Sequence, residues 1–85
     1  MFHKVKNVQP LSNMILHIEF ADGTIKHYDV KPLMNRWEAF NDLKHGDLFK
    51  LVHVDTGGYG IVWNDYIDLA CNELWSNGVL TNEIC

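Results

Sequence analysis

The sequence predicts a small α+β domain in which two antiparallel β-hairpins form one sheet and two or three short helices pack on it. Three features of the sequence predict this class. Apolar and polar residues alternate over residues 14–20, and the run ends at Asp22-Gly23, a dipeptide typical of tight hairpin turns. A glycine-rich turn at residues 56–60 precedes a second apolar strand. Between the hairpins, apolar residues recur every three to four positions, as in an amphipathic helix.

Length and composition narrow the class of protein. The chain has 85 residues, of which 47% are hydrophobic and 21% charged, which suits a single domain with a packed core. We expect ordered structure over about residues 4–78 and a tail at residues 79–85. The net charge of −4 lacks the basic excess that phosphate contacts require, so no direct binding to nucleic acid is expected.

The sequence also indicates a compartment. No segment approaches the ~20 apolar residues of a membrane span, and residues 1–11 lack the apolar run of a signal peptide. Two cysteines, Cys71 and Cys85, are too few for a secreted disulfide framework. We therefore expect a cytoplasmic protein with no membrane contact and with Cys71 as a buried structural thiol.

The first hairpin has two possible registers. A two-residue loop would pair Phe20 with Ile25, whereas a bulged loop would pair Phe20 with Thr24. We favour the bulged register because it places Tyr28 on the same face as Leu16. Residues 4–11 before this hairpin are predicted to form an edge strand, since they contain a proline that cannot donate to a ladder.

The middle of the chain predicts a short amphipathic helix. Leu33, Trp37 and Phe40 recur at helical spacing, which would bury Trp37 against the core. Asn35 is the expected N-cap. His45-Gly46 is the expected end, because glycine favours the left-handed position after a helix.

The second half of the chain predicts another hairpin and a closing helix. Residues 47–50 form one more turn, residues 51–55 pair with residues 60–64, and Ile67-Asp68-Leu69 leads into a helix at residues 70–76. Asn77-Gly78 ends that helix. The predicted core consists of apolar residues from both hairpins and this helix: Leu16, Ile18, Phe20, Val54, Ile61, Trp63, Leu69 and Leu74.

Three short motifs follow one another along the chain. YDVKPL at residues 28–33 follows the Asp-Gly turn, and GIVWND at residues 60–65 and IDL at residues 67–69 come later. In order and spacing they resemble the small bacterial domain-of-unknown-function family twenty-four forty-two, over roughly residues 4–78. The resemblance implies a small α+β domain, which some members carry ahead of a helix-turn-helix. Other members are encoded beside a second small protein, an arrangement that has suggested toxin–antitoxin pairs.

The resemblance implies no catalytic residues, because none are established for the family. It does point to one departure. The family usually has serine before the last helix, where this chain has Ala70. The helix therefore lacks an N-cap side chain worth about 1 kcal/mol.

Five histidines raise the question of a metal site, and the bulged register would place His17 opposite His27. Zinc ligands cluster at short spacings, such as two histidines one helical turn apart, and no such spacing occurs here. We therefore expect the histidines to be ordinary surface residues and the protein to hold no metal or cofactor.

Two classes of function follow. The first is a non-catalytic protein-interaction or regulatory module with a protein partner or as a homodimer. Its expected surface is an aromatic rim of Tyr59, Tyr66 and Trp75, because aromatic side chains are enriched at interfaces. The edge strand at residues 4–11 offers a second route, by strand addition.

The alternative is a small enzyme or ligand-binding domain that uses His53, Asp55, Asp65 and Asp68. This function requires those side chains in one pocket, and the ends of the second hairpin could bring Asp55 and Asp65 together. Aspartates at such positions more often bond backbone N–H groups in turns and caps. The sequence thus favours the interaction module.

Overall fold

The described part of the chain, residues 3–44 and 47–80 of a computed structural model, contains seven strands, one α-helix and several short 3₁₀ helices. The predicted α+β class is confirmed. The elements, in chain order, are β1 (Val5–Pro10), β2 (Ile15–Phe20), β3 (Ile25–Asp29), β4 (His53–Val54), β5 (Gly60–Asn64), β6 (Ile67–Ala70), α1 (Cys71–Asn77) and β7 (Val79–Leu80).

The strands form two antiparallel sheets, where the sequence predicted one. Their orders are β1-β2-β3-β7 and β4-β5-β6. Strand β1 is at an edge, as predicted, and it packs against β4 without pairing with it. A Cβ on Gly58 would lie 2.8 Å from the Val5 carbonyl oxygen. The turn of the second hairpin therefore occupies the side of β1 where another strand would have to pair.

The first hairpin adopts the predicted bulged register. Phe20 donates its N–H to the Thr24 carbonyl at 2.8 Å, and Leu16 lies opposite Tyr28. Gly23 adopts a φ of +92°, which glycine reaches without a steric penalty. The Asp22 carboxylate accepts the Thr24 N–H at 2.9 Å, and this hydrogen bond lowers the pKa of Asp22.

The middle segment differs from the predicted helix. It forms two 3₁₀ helices, Lys31–Asn35 and Glu38–Lys44, so Asn35 ends the first of them and is not an N-cap. A 3₁₀ helix aligns residues three apart, which buries Phe40 together with Leu43. Trp37 lies between the two helices and is 49% exposed, so its predicted burial was wrong. The predicted end at His45-Gly46 lies outside the described residues.

Another 3₁₀ helix, Leu48–Leu51, buries Phe49, in line with the predicted extra turn. The second hairpin then forms with His53 opposite Val62, but its first strand is His53–Val54, shorter than the predicted residues 51–55. The sequence missed β6, which it treated as a lead into the helix. The Asn64 side chain accepts the N–H groups of Tyr66 and Ile67, and this turn directs the chain back along β5.

Helix α1 begins directly after β6. Ala70 is its N-cap and makes no side-chain capping bond, as its departure from the family pattern implied. Val79–Leu80, at the start of the predicted tail, pair with β3. No helix in residues 3–44 and 47–80 is long and apolar enough to cross a membrane.

The core lies between the two sheets and α1. Seven of the predicted core residues are buried, and Val54 packs against them partly buried. Cys71 is 2% exposed, which confirms the buried thiol, while Cys85 lies outside the described residues. Phe20 contacts Trp75 edge to face, with ring centroids 4.9 Å apart, and so connects the first sheet to α1.

Replacing Gly60 with alanine is expected to destabilise the fold by about 1–3 kcal/mol. A Cβ at this position would collide with the Leu69 carbonyl oxygen, which belongs to the backbone and cannot rotate away. Urea unfolding followed by circular dichroism measures the loss. The exposed helix position Ser76→Ala is the control and should stay within about 0.5 kcal/mol of the parent chain. Equal midpoints for the two variants would contradict the close approach of β5 and β6.

Candidate functional site

A groove of about 370 Å³ separates the middle segment from β6. We call it the Trp37–Tyr66 groove after the two aromatic residues on its sides. The middle segment supplies one side, β6 and its preceding turn supply the other, and α1 adds one residue. The lining residues are Trp37, Ala39, Phe40, Tyr66, Asp68, Leu69, Ala70 and Glu73.

Two large aromatic side chains are exposed on this groove. Trp37 is 49% exposed and Tyr66 is 86% exposed. The break between the two 3₁₀ helices places Trp37 at the surface, and the Arg36 guanidinium lies 4.6 Å from the centre of its ring. Tyr66 lies in the β5–β6 turn. Trp37 therefore lies half exposed beside the core, with its ring centroid 6.1 Å from that of the buried Phe40, and Tyr66 is exposed in a turn.

The β6 side of the groove is a strand edge. Ile61 lies opposite Leu69, and Cys71 donates its N–H to the Tyr59 carbonyl at 2.8 Å. Because bonded and non-bonded pairs alternate along an antiparallel ladder, the N–H and C=O groups of Leu69 face β5. Those of Asp68 and Ala70 face away from it. In the described part of the chain, no strand pairs with this outer side of β6.

The groove carries two carboxylates. Glu73 accepts hydrogen bonds from the Tyr28 hydroxyl at 2.8 Å and from the Asn77 side-chain amide at 2.9 Å, both on Oε2. Asp68 is exposed on β6. None of the ion pairs within residues 3–44 and 47–80 involves either carboxylate. The groove lining is therefore acidic, with Asp68 and Glu73 as its charged residues.

The three residues of the expected aromatic rim lie in different places. Tyr66 lines the groove, whereas Tyr59 precedes β5 at its other end, with the Lys4 Nζ 5.0 Å from the centre of its ring. Trp75 stacks on the His3 imidazole at a centroid distance of 3.7 Å, and the Lys26 Nζ lies 4.2 Å from its ring centre. The structure thus brings Tyr66 together with Trp37 and not with Tyr59.

The four residues of the enzyme alternative are also spread out. Asp55 caps the 3₁₀ turn at Thr56–Gly58 by accepting the Thr56 N–H at 2.8 Å. It lies beside Gly60, while Asp65 follows the opposite end of β5, so the expected closeness of these two aspartates was wrong. His53 is exposed on β4, and Asp68 alone of the four lines the groove.

His17 and His27 face each other across the first hairpin, as the bulged register predicted. Their Nδ1 and Nε2 atoms are 3.0 Å apart and share a hydrogen bond. Among residues 3–44 and 47–80, no group of three histidine, cysteine, aspartate or glutamate side chains is arranged to hold a metal ion.

A family model described as "Protein of unknown function (DUF2442)" matches residues 5–79. The chain belongs to the DUF2442 family. This match confirms the resemblance carried by the YDVKPL, GIVWND and IDL motifs. No curated protein and no solved structure matches the chain.

Sequence reasoning missed two groove residues of this DUF2442 chain. Trp37 was assigned to the core because Leu33, Trp37 and Phe40 are spaced as on one face of an α-helix. The chain instead forms two 3₁₀ helices, and Trp37 lies between them. Glu73 gave no sequence signal, because its partner Tyr28 lies 45 positions away. Only the fold brings the side chains of Tyr28 and Glu73 together.

The contact between Tyr28 and Glu73 changes the acidity of the phenol. Tyr28 is 4% exposed, and burial together with the adjacent Glu73 carboxylate raises the pKa of its hydroxyl well above the ordinary value. The neutral phenol is therefore the form that the fold stabilises, and it remains a donor to Glu73.

Stability is expected to fall as the pH rises above about 10, the pKa of an unfolded tyrosine. Above that pH the unfolded chain loses the Tyr28 proton while the folded chain keeps it, which costs about 1.4 kcal/mol per pH unit. Tyr28→Phe should remove this part of the alkaline loss, and Tyr66→Phe should not. Urea unfolding at about pH 9 and about pH 11 compares them. Identical alkaline losses in the parent and in Tyr28→Phe would contradict the assignment.

Proposed function

We propose that the chain is a non-catalytic protein-binding module and that the Trp37–Tyr66 groove is its contact surface. The main support is the exposure of two large aromatic side chains on the two sides of one groove. Tryptophan and tyrosine are enriched among the residues that contribute most to protein–protein binding.

The residue types in the groove favour binding over catalysis. Its titratable lining residues are Tyr66, Asp68 and Glu73. Covalent catalysis commonly pairs a serine or cysteine nucleophile with a histidine base, and the lining contains none of these residue types. The His17–His27 pair lies on the first hairpin, among residues that do not line the groove.

The charge of the groove favours a basic partner over nucleic acid. Asp68 and Glu73 would repel phosphate groups and attract lysine or arginine side chains. A neutralising or regulatory role in a two-protein pair, an arrangement that neighbouring genes have suggested for some family members, is compatible with such a surface in a cytoplasmic protein. In that form of the proposal, the second small protein supplies the basic segment.

A photo-cross-linker in the groove tests the proposal. We expect p-benzoylphenylalanine in place of Tyr66 to give one cross-linked adduct of constant mass when cells of the native host are illuminated. Combining it with Trp37→Ala should lower the yield about 30-fold, since truncating a hot-spot residue, the class in which tryptophan is enriched, costs about 2 kcal/mol or more. The same photoprobe at Leu51, which is 60% exposed and outside the groove, is the matched control.

Equal adducts at Leu51 and at Tyr66 would mean random collision and would contradict the proposal. The same photoprobe is also placed at Tyr59. An adduct there and none at Tyr66 would keep the protein-binding role but reject the Trp37–Tyr66 groove as its surface. Circular dichroism of Trp37→Ala should match the parent chain, because its half-exposed ring lies outside the buried core.

A further inference from the structure

Resting on the proposed function, we infer that the groove binds an extended, basic segment of the partner that pairs with the outer side of β6 as an added antiparallel strand. The inference depends on three features: the unpaired edge of β6, the alternation of its side chains, and the charge of the groove.

Three backbone groups of β6 point to its outer side, where a partner strand could pair with them. Asp68 presents both its N–H and its C=O to the outer side, and Ala70 presents its N–H. The Ala70 carbonyl does not face a partner strand, because Ala70 is the N-cap of α1 and an N-cap carbonyl accepts the first hydrogen bond of its helix. A partner residue opposite Asp68 could exchange two hydrogen bonds with it, as in other complexes formed by strand addition.

The side chains of β6 determine which residues would suit such a strand. Ile67 and Leu69 face the core, whereas Asp68 and Ala70 face outward. A residue opposite Leu69 would place its side chain on the face that Leu69 shares with Phe40, and an apolar side chain fits there. A residue opposite Asp68 would lie beside the carboxylate, where arginine or lysine fits.

The charges favour a different protein over a second copy of this chain. A two-fold contact brings the same surface of both subunits together. Two copies meeting through the groove would therefore bring Asp68 and Glu73 of one chain against the same residues of the other. The opposite edge of the fold is less suitable, because the turn at Gly58 packs against the Val5 carbonyl on the outer side of β1.

Binding of short peptides tests the inference with defined probes. The first probe is an acetylated and amidated hexapeptide of alternating valine and arginine. The second and third carry methyl groups on the backbone nitrogens of the arginines or of the valines. The fourth has glutamate in place of arginine. Shifts of the backbone amide signals of the labelled chain report affinity and location.

We expect the unmodified valine–arginine peptide to shift the Asp68 and Ala70 amide signals. Methyl groups on the arginine nitrogens face β6 and should weaken binding about tenfold, while those on the valine nitrogens face away and should leave it within about twofold. The glutamate peptide should bind about tenfold more weakly. Equal affinities for the two methylated peptides, or for arginine and glutamate, would overturn the inference.

A substitution in this chain tests the same backbone hydrogen bonds as the peptide methyl groups. Ala70 has φ −73° and ψ 152°, which proline can adopt, so Ala70→Pro removes the outward N–H with little change in the backbone. It should weaken peptide binding about tenfold, while Ala70→Ser, which keeps the N–H, should stay within about twofold.

The two proposals can fail separately. If none of the peptides binds while Tyr66 still cross-links to a partner, strand addition is wrong and the protein-binding role stands. If the chain alone forms a dimer that Ala70→Pro dissociates, a second copy occupies β6 and the basic partner is rejected.

Discussion

The close approach of Gly60 to the Leu69 carbonyl determines where the second half of the chain lies. Only a residue without a side chain allows β6 to reach its position beside β5. The ladder they form extends to the bond between the Cys71 N–H and the Tyr59 carbonyl, at the first residue of α1. The position of α1, and therefore of Glu73, follows from this contact between two strands.

Helix α1 also holds the two sheets together. It follows β6 of the second sheet directly, and it contacts the first sheet through Tyr28–Glu73 and Phe20–Trp75. These contacts lie in or against the core. The Glu73 side of the groove is therefore held by contacts that do not involve Trp37 or Tyr66.

Local patterns explain which parts of the fold the sequence could predict. The first hairpin followed from a strict two-residue alternation and an Asp-Gly turn, both of which are properties of neighbouring residues. The middle segment could not be predicted in this way, because over ten residues a 3₁₀ helix and an α-helix give nearly the same apolar spacing. Because of this ambiguity Trp37 was predicted to lie in the core, whereas in the structure it lines the groove. Strand β6 was missed because four residues between a turn and a helix give only two alternations.

The candidate site depended even more on the fold. Asp68 was singled out from the sequence, but for a pocket shared with His53, Asp55 and Asp65 that the structure does not form. Tyr66 was singled out as an exposed aromatic, but with the wrong neighbours. A strand edge is a property of sheet order, which residue spacing does not reveal. The acidic, aromatic groove combines segments that lie apart in the sequence, so it is recognised from the structure and not from residue spacing.

Amide hydrogen exchange of the free chain, measured residue by residue by nuclear magnetic resonance, shows whether the outer side of β6 is open. We expect strong protection for Leu69, whose N–H is bonded to β5, and fast exchange for Asp68 and Ala70, whose N–H groups face the groove. Equal protection of all three amides would show that the outer side of β6 is already paired and cannot accept a partner strand.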